Sequence, residues 1–194
     1  MSDVPIFADE NWVLPSRGRI AMWSLIVAES AIFSIFVVAY IYYIGRDQFG
    51  PTPSILDVPI LNTICLLSSS LTIWIAERAI EQGRIRRFAI FWGITILLGL
   101  KFIVGTIAEF RTLVNRDGLT IDANLFGSTF YSLVGLHATH VIVGLVGLIL
   151  IFAFTVFGKV NRSHAERIQV FSMYWHFVDA VWVVVFTVVY IVGK

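Results

Sequence analysis

FYSLVGLHATHVIVGLVGLILIFAFTVF, Phe130–Phe157, runs for 28 positions without an Asp, Glu, Lys or Arg. A helix needs ~20 apolar residues to cross the hydrocarbon of a bilayer, and this run is longer. It is continuously apolar, not alternating over segments of roughly ten residues, which excludes a barrel strand. No water is present in the bilayer core to satisfy backbone N–H and C=O groups, so the run must be helical. Working outward, four more segments read the same way: Ile20–Ile44, Ile60–Ala76, Phe88–Ala108 and Phe171–Val192. Of the five, Ile60–Ala76 is the shortest. The expected fold is all-α: one membrane domain over residues 1–194, a polytopic bundle of five transmembrane helices with no soluble domain.

Composition agrees. The chain of 194 residues is 58% hydrophobic and only 14% charged, with a mean hydropathy of +0.84. Soluble domains carry about a quarter charged residues. A net charge of +1 excludes a nucleic-acid binder that works by neutralising phosphates. Cys65, the one cysteine, lies in an apolar run, so no disulfide framework or cysteine-based metal or iron–sulfur site is available. The polar start (Asp3, Asp9, Glu10, Arg17, Arg19) lacks the apolar stretch and cleavage site of a secretory signal, so the mature chain is expected to begin where the sequence does. Gly45, Gly50, Pro51, Pro53 and the Asn115–Gly118 stretch mark loops.

An odd number of spans puts the termini on opposite sides. One side collects Arg17, Arg19, Arg78, Arg84, Arg86, Arg87, Lys159, Arg162 and Arg167; the other holds Arg46, Arg111, Arg116 and Lys194. The positive-inside rule then expects a cytoplasmic N-terminus and a periplasmic C-terminus. Tyr40, Tyr42, Tyr43 and Tyr190 are expected at the outer interface and Tyr174 and Trp175 near the inner one, with Trp92 and Trp182 packed between helices.

Residues that do not belong in oil carry the functional information. An ionisable group at the bilayer centre costs ~2.5–3.5 kcal/mol on insertion scales, so it marks a candidate site. Glu29 falls roughly 13 Å into the first segment, and Asp179 roughly 12 Å into the fifth. His137 and His140 share one face of the fourth, as His176 and Asp179 do of the fifth. Lys101 is expected to snorkel toward Glu109 or to pair with it. His176 and Asp179 can hydrogen-bond each other, or Trp182 and Tyr174. The two histidine-bearing faces differ in depth across a ~30 Å core, so no metal or haem ligand set is expected, and no nucleophile–base pair or phosphate loop is legible. Thr95/Gly99 and Gly135/Thr139 are small-residue pairs that let helices approach, and Ser68, Ser69 and Ser70 give the second segment hydroxyls.

Taken together, the five segments resemble subunit III of the haem–copper terminal oxidases. The resemblance rests on MWSLIVAESAIFSIFVVAY (Met22–Tyr40) with its internal Glu29, PILNTICLLSSSLT (Pro59–Thr72), KFIVGTIAEF (Lys101–Phe110), FGSTFYSLVGLHATHVIVG (Phe126–Gly144) and, most specifically, YWHFVDAVWVVVF (Tyr174–Phe186). It covers nearly the whole chain from Arg17 onward, and five helices match the shorter bacterial form. Three positions depart from the family pattern. Thr106 and Phe110 stand where the family has Gln and Tyr around the Glu109 position, which puts a family hydrogen bond there in doubt, and Ala138 stands where it has Gly.

The resemblance implies a multi-pass subunit of the bacterial inner membrane, with no catalytic centre and no cofactor of its own. Haem and copper would lie in partner subunits. It would pack on subunit I, beside subunit II and a small subunit IV, and bind phospholipid in a cleft while supporting proton uptake and sustained turnover. Glu29, Glu109, His137, His140, His176 and Asp179 would form its structural polar cluster. Arg78, Arg84, Arg86 and Arg87 are candidates for lipid headgroups. Cytochrome c is the expected electron donor. A quinol oxidase subunit III, a nitric oxide reductase accessory protein of the same family and a free-standing proton or ion transporter remain alternatives. The transporter reading lacks the internal repeat and broken helices that transporters usually show.

Overall fold

The computed structural model describes residues 16–47 and 50–193; Asp3, Asp9, Glu10 and Lys194 lie outside the described residues. Five helices form: α1 (Arg17–Tyr43), α2 (Ile60–Glu81), α3 (Ile85–Asn115), α4 (Leu125–Val156) and α5 (Ala165–Phe186), the last continuing as a π-helical turn over Thr187–Val192. All five are long and apolar enough to span a membrane, and no strand occurs among the described residues. The expected apolar segments fall inside these helices except for Ile44 and Phe157, which cap α1 and α4. The helices run past those segments because their polar flanks continue the backbone hydrogen bonding beyond the apolar core.

Two helix ends show how the sequence turns the chain. Gly83 and Gly158 have φ of +72° and +69°, which side chains with a Cβ rarely adopt. Behind them Arg84 N–H donates to the Ala79 carbonyl and Lys159 N–H to the Phe154 carbonyl, both at 2.9 Å. These are Schellman closures, which satisfy carbonyls that the helix leaves orphaned. The α2–α3 and α4–α5 turns therefore lie at the same end as the start of α1. A side-chain relay ties that end together: Arg19 donates to Gln169 at 3.1 Å, and Gln169 donates to Glu81.

At the opposite end Asp47, in the α1–α2 loop, accepts from the N–H groups of Leu125 and Phe126 at 3.0 and 2.9 Å. A carboxylate at a helix N-terminus satisfies orphan donors and meets the positive end of the helix dipole. Asn124 completes the cap, accepting from Gly127 N–H at 2.8 Å and donating to the Pro51 carbonyl at 2.9 Å.

α4 and α5 pack together at the centre. α1 closes against both, α3 lies against α4, and α2 packs on α5 and, as an antiparallel hairpin, on α3. Lipid tails are as apolar as leucine, so close packing and interhelical hydrogen bonds must hold such a bundle. Trp175 does most of this at the core. It is wholly buried, and a Cβ on Gly99 of α3 or Gly144 of α4 would approach its ring to 2.9 and 2.8 Å. Tyr40 is wholly buried as well. Tyr174 and Tyr190 are buried too, so these aromatics near helix ends are covered by adjacent helices. Trp92 and Trp182 are buried between helices as expected. Gly99 makes the close approach read from the Thr95/Gly99 pair. Gly135 does not: no side chain comes within 4 Å of the position its Cβ would take, and Thr139 is exposed. Gly144 and Gly147 are the α4 glycines in contact with another helix, the second under the Phe171 ring.

Candidate functional site: polar contacts inside the bundle

Most intramembrane polar side chains find a partner on another helix. On α1, Glu29 Oε2 lies 3.1 Å from His140 Nε2 of α4, with both side chains mostly buried. His140 Nδ1 is 2.8 Å from the Leu136 carbonyl, which can only accept, so Nδ1 carries a hydrogen. One proton then lies between Nε2 and Oε2. Held on either atom it leaves the pair with no net charge, which is how a carboxyl and an imidazole can share an apolar setting. Phe33 of α1 covers the imidazole at 4.9 Å between ring centres, and Tyr174 of α5 donates to the His140 carbonyl at 3.2 Å. Glu29 and His140 thus join α1, α4 and α5.

His176 and Asp179 meet a different helix. The Ser70 hydroxyl of α2 donates to Asp179 Oδ2 and lies 3.1 Å from His176 Nδ1. A hydroxyl has one hydrogen, so the His176 Nδ1–H donates to Ser70 in turn. The two residues are bridged by Ser70, not by each other, Trp182 or Tyr174. The seam continues along α2. Trp175 Nε1–H donates to Ser69 Oγ at 2.9 Å, and Trp182 Nε1–H to Thr63 Oγ1 at 3.2 Å. Ser70 and His176 are a hydroxyl–imidazole contact that separation in sequence concealed, but the serine proton goes to Asp179, so the imidazole is not placed to take it. Of the three consecutive serines, Ser69 and Ser70 face α5 while Ser68 is exposed, as the ~100° step of a helix requires.

The expected pairing of Lys101 with Glu109 is replaced by two others. Lys101 reaches across to α2 and donates to Asn62 Oδ1 at 3.1 Å instead of following α3 to Glu109. Asn62 lies over Gly105, where any Cβ would clash, so this glycine admits the lysine's partner. Glu109 accepts from the Tyr190 hydroxyl of the π-helical turn at 2.8 Å. The Tyr190 hydroxyl serves this carboxyl where Phe110 has none to offer; Thr106 turns its hydroxyl back to the Phe102 carbonyl at 3.1 Å. Thr72 and Thr95 join α2 to α3 at 2.7 Å, and Trp92 Nε1–H donates to the Leu148 carbonyl of α4 at 2.9 Å.

His137 stands apart. It is wholly buried, and neither ring nitrogen has a hydrogen-bond partner. Trp182, Phe102 and Phe33 surround it at 4.9, 5.7 and 6.4 Å between ring centres. It packs as an aromatic ring and links to no other member of the expected cluster. With His137 enclosed, His140 engaged by Glu29 and His176 by Ser70, no three His, Cys, Asp or Glu side chains converge on a metal-sized site among the described residues.

Arg78, Arg84, Arg86 and Arg87 are all exposed at the end that carries the α2–α3 turn. Arg78 lies over the Trp74 ring at 5.1 Å and Arg87 over Phe91 at 5.8 Å. A groove of about 320 Å³ opens between α1 and α5, lined by Phe33, Ser34, Val37, Val181 and Val185. Asp47, Asn62 and Gln169 were not singled out from sequence, and Tyr190 was read only as an interface residue; a capping acid is invisible until its helix is placed, and the others pair across more than 35 residues.

Comparison with known proteins places this geometry. The family model described as cytochrome c oxidase subunit III matches residues 19–194. A cytochrome c oxidase subunit 3 of Alkalihalophilus pseudofirmus is 34% identical over 95% of this chain and 91% of its own length. That of Bacillus subtilis gives the same identity and coverage. A probable quinol oxidase subunit 3 of Staphylococcus saprophyticus is 31% identical over 91% of this chain and 89% of its own.

Proposed function

The chain belongs to the cytochrome c oxidase subunit III family, and from that we propose that it is the non-redox third subunit of a bacterial respiratory haem–copper oxidase, a multi-pass protein of the inner membrane. It packs on subunit I, beside subunit II and a small subunit IV, and the haems and copper of those partners carry the electrons. Its N-terminus lies in the cytoplasm, because the basic loops gather at that end. The carrying observation is the distribution of its polar side chains. Glu29, His140, Asp179 and His176 each make a contact to another helix, so they brace the bundle.

The α1–α5 groove is the place for an acyl chain in this reading, since Phe33 and five valines line it. Its apolar lining favours oxygen, which dissolves better in hydrocarbon than in water. Anionic headgroups meet Arg78, Arg84, Arg86 and Arg87, at ~1 kcal/mol for each cation near the surface. Cytochrome c is the donor in this reading. The Staphylococcus relative keeps quinol as the specific second reading.

The test is isolation from native membranes by an affinity tag on this chain. The expected eluate contains a haem-bearing subunit I with a copper-containing oxidase spectrum, and it oxidises cytochrome c. An eluate without any haem–copper subunit contradicts the proposal, and oxidation of quinol alone selects the second reading.

A further inference from the structure

A second groove lies away from α1, where the last turn of α4 meets the first turn of α5. It encloses about 330 Å³. Ile151 and Phe154, three apart on α4, Ile168 of α5 and Val160 are its apolar lining, and Lys159, His164 and Arg167 line it beside them. The local fold builds this combination. Gly158 ends α4 with a left-handed turn that carries Lys159 over the helix end, and the Asn161 cap starts a short turn that presents His164. His164, Arg167 and Ile168 then share one face of the following helix, at spacings of three and four. Glu166, one residue before Arg167, is not among the lining groups.

The cations are unspent. Among the described residues the single carboxylate–cation pair within 4.0 Å is Glu29–His140, so neither Lys159 nor Arg167 has an acidic neighbour at that range. His164 engages Asn161 through Nδ1, which leaves Nε2 available. Elsewhere at this end glutamate is answered within the protein, as Glu81 is by Gln169. Here three basic groups face an apolar trough, and among the described residues no carboxylate lies within 4.0 Å of Lys159 or Arg167.

We infer that this α4–α5 groove binds one anionic phospholipid, its phosphate held by Lys159, Arg167 and His164 and its acyl chain lying on Ile151, Phe154 and Ile168. A free phosphate would leave the apolar walls unused, and an uncharged lipid would leave the cations unanswered. The site does not depend on the assignment of the chain to an oxidase, and it is separate from the α1–α5 groove and from the arginines of the α2–α3 turn.

Native mass spectrometry of the intact complex, delipidated and titrated with phosphatidylglycerol, reads the site directly. Lys159→Gln with Arg167→Gln is expected to weaken one bound phosphatidylglycerol by about thirty-fold, the product of two near-surface cations. Arg167→Lys should retain most of the binding, while Arg111→Gln, exposed on α3 at the opposite end of the bundle, should leave this lipid in place. Lys159 is exposed in a loop, so its single replacement carries the test if the double variant does not assemble. Unchanged binding in the Lys159 and Arg167 variants overturns the inference. So does equal retention of phosphatidylcholine, or displacement of the lipid by millimolar inorganic phosphate, which would mark a free-anion site.

Discussion

Replacing Trp175 with alanine is expected to lower the stability of the subunit by ~3–5 kcal/mol, the range for emptying a large buried aromatic position. Four helices meet at this ring. It rests against Gly99 of α3 and Gly144 of α4, and its N–H reaches Ser69 of α2 from α5. The cavity cannot close easily, because the facing positions are glycines with no side chain to move into it. Trp175→Phe keeps most of the volume and loses the N–H to Ser69, so it should cost only ~1 kcal/mol. Gly144→Leu attacks the same contact from the other side by overfilling it and should cost ~1–3 kcal/mol. Denaturant titration of the detergent-solubilised subunit within its complex measures all three. Equal loss for Phe and Ala would show that the hydrogen bond and not the packing dominates.

The second large effect concerns the contact that holds α1. Glu29→Ala removes the partner of His140 and is expected to cost ~1.5–3 kcal/mol, as for a hydrogen bond to a charged group. The paired change Glu29→Ala with His140→Ala should cost less than the sum of the two singles, with a coupling of ~0.5–3 kcal/mol. Loosening α1 opens the groove it forms with α5, so the alanine variant should lose bound lipid and inactivate sooner during turnover while its haem spectrum stays unchanged. Glu29→Gln separates holding from proton transfer. Its amide N–H can donate to His140 Nε2 in the tautomer already fixed by Leu136, but it has no proton to exchange. The scaffold reading expects glutamine to restore both stability and sustained turnover. Restored stability with turnover still failing would assign the pair a role in moving protons. Additive alanine effects would show that the two residues act independently.

The fold was legible because lipid imposes one demand on the backbone, and five uninterrupted apolar runs answer it only as helices. Helix adjacency was not legible. Periodicity puts His176 and Asp179 on one face of α5, but nothing local says that the face meets Ser70 of α2, 106 and 109 residues away. The same gap explains Lys101, whose partner Asn62 becomes visible only when Gly105 brings α2 and α3 together. Interface rules put Tyr40, Tyr174, Trp175 and Tyr190 near helix ends but did not show that neighbouring helices cover them. Glu29 and His140 were not read as a pair. Their residue types showed that each needed a partner, and only the packing of α1 on α4 supplied it.

Whether these buried polar groups brace a bundle serving its partners' chemistry is decided by stripping this chain from the purified oxidase complex and measuring both fractions. All haem absorbance and copper should stay with the remaining subunits, which begin turnover at near-normal rate and then inactivate faster, and adding the chain back should restore their endurance. Haem or copper leaving with this chain, or turnover by this chain alone, would contradict that role.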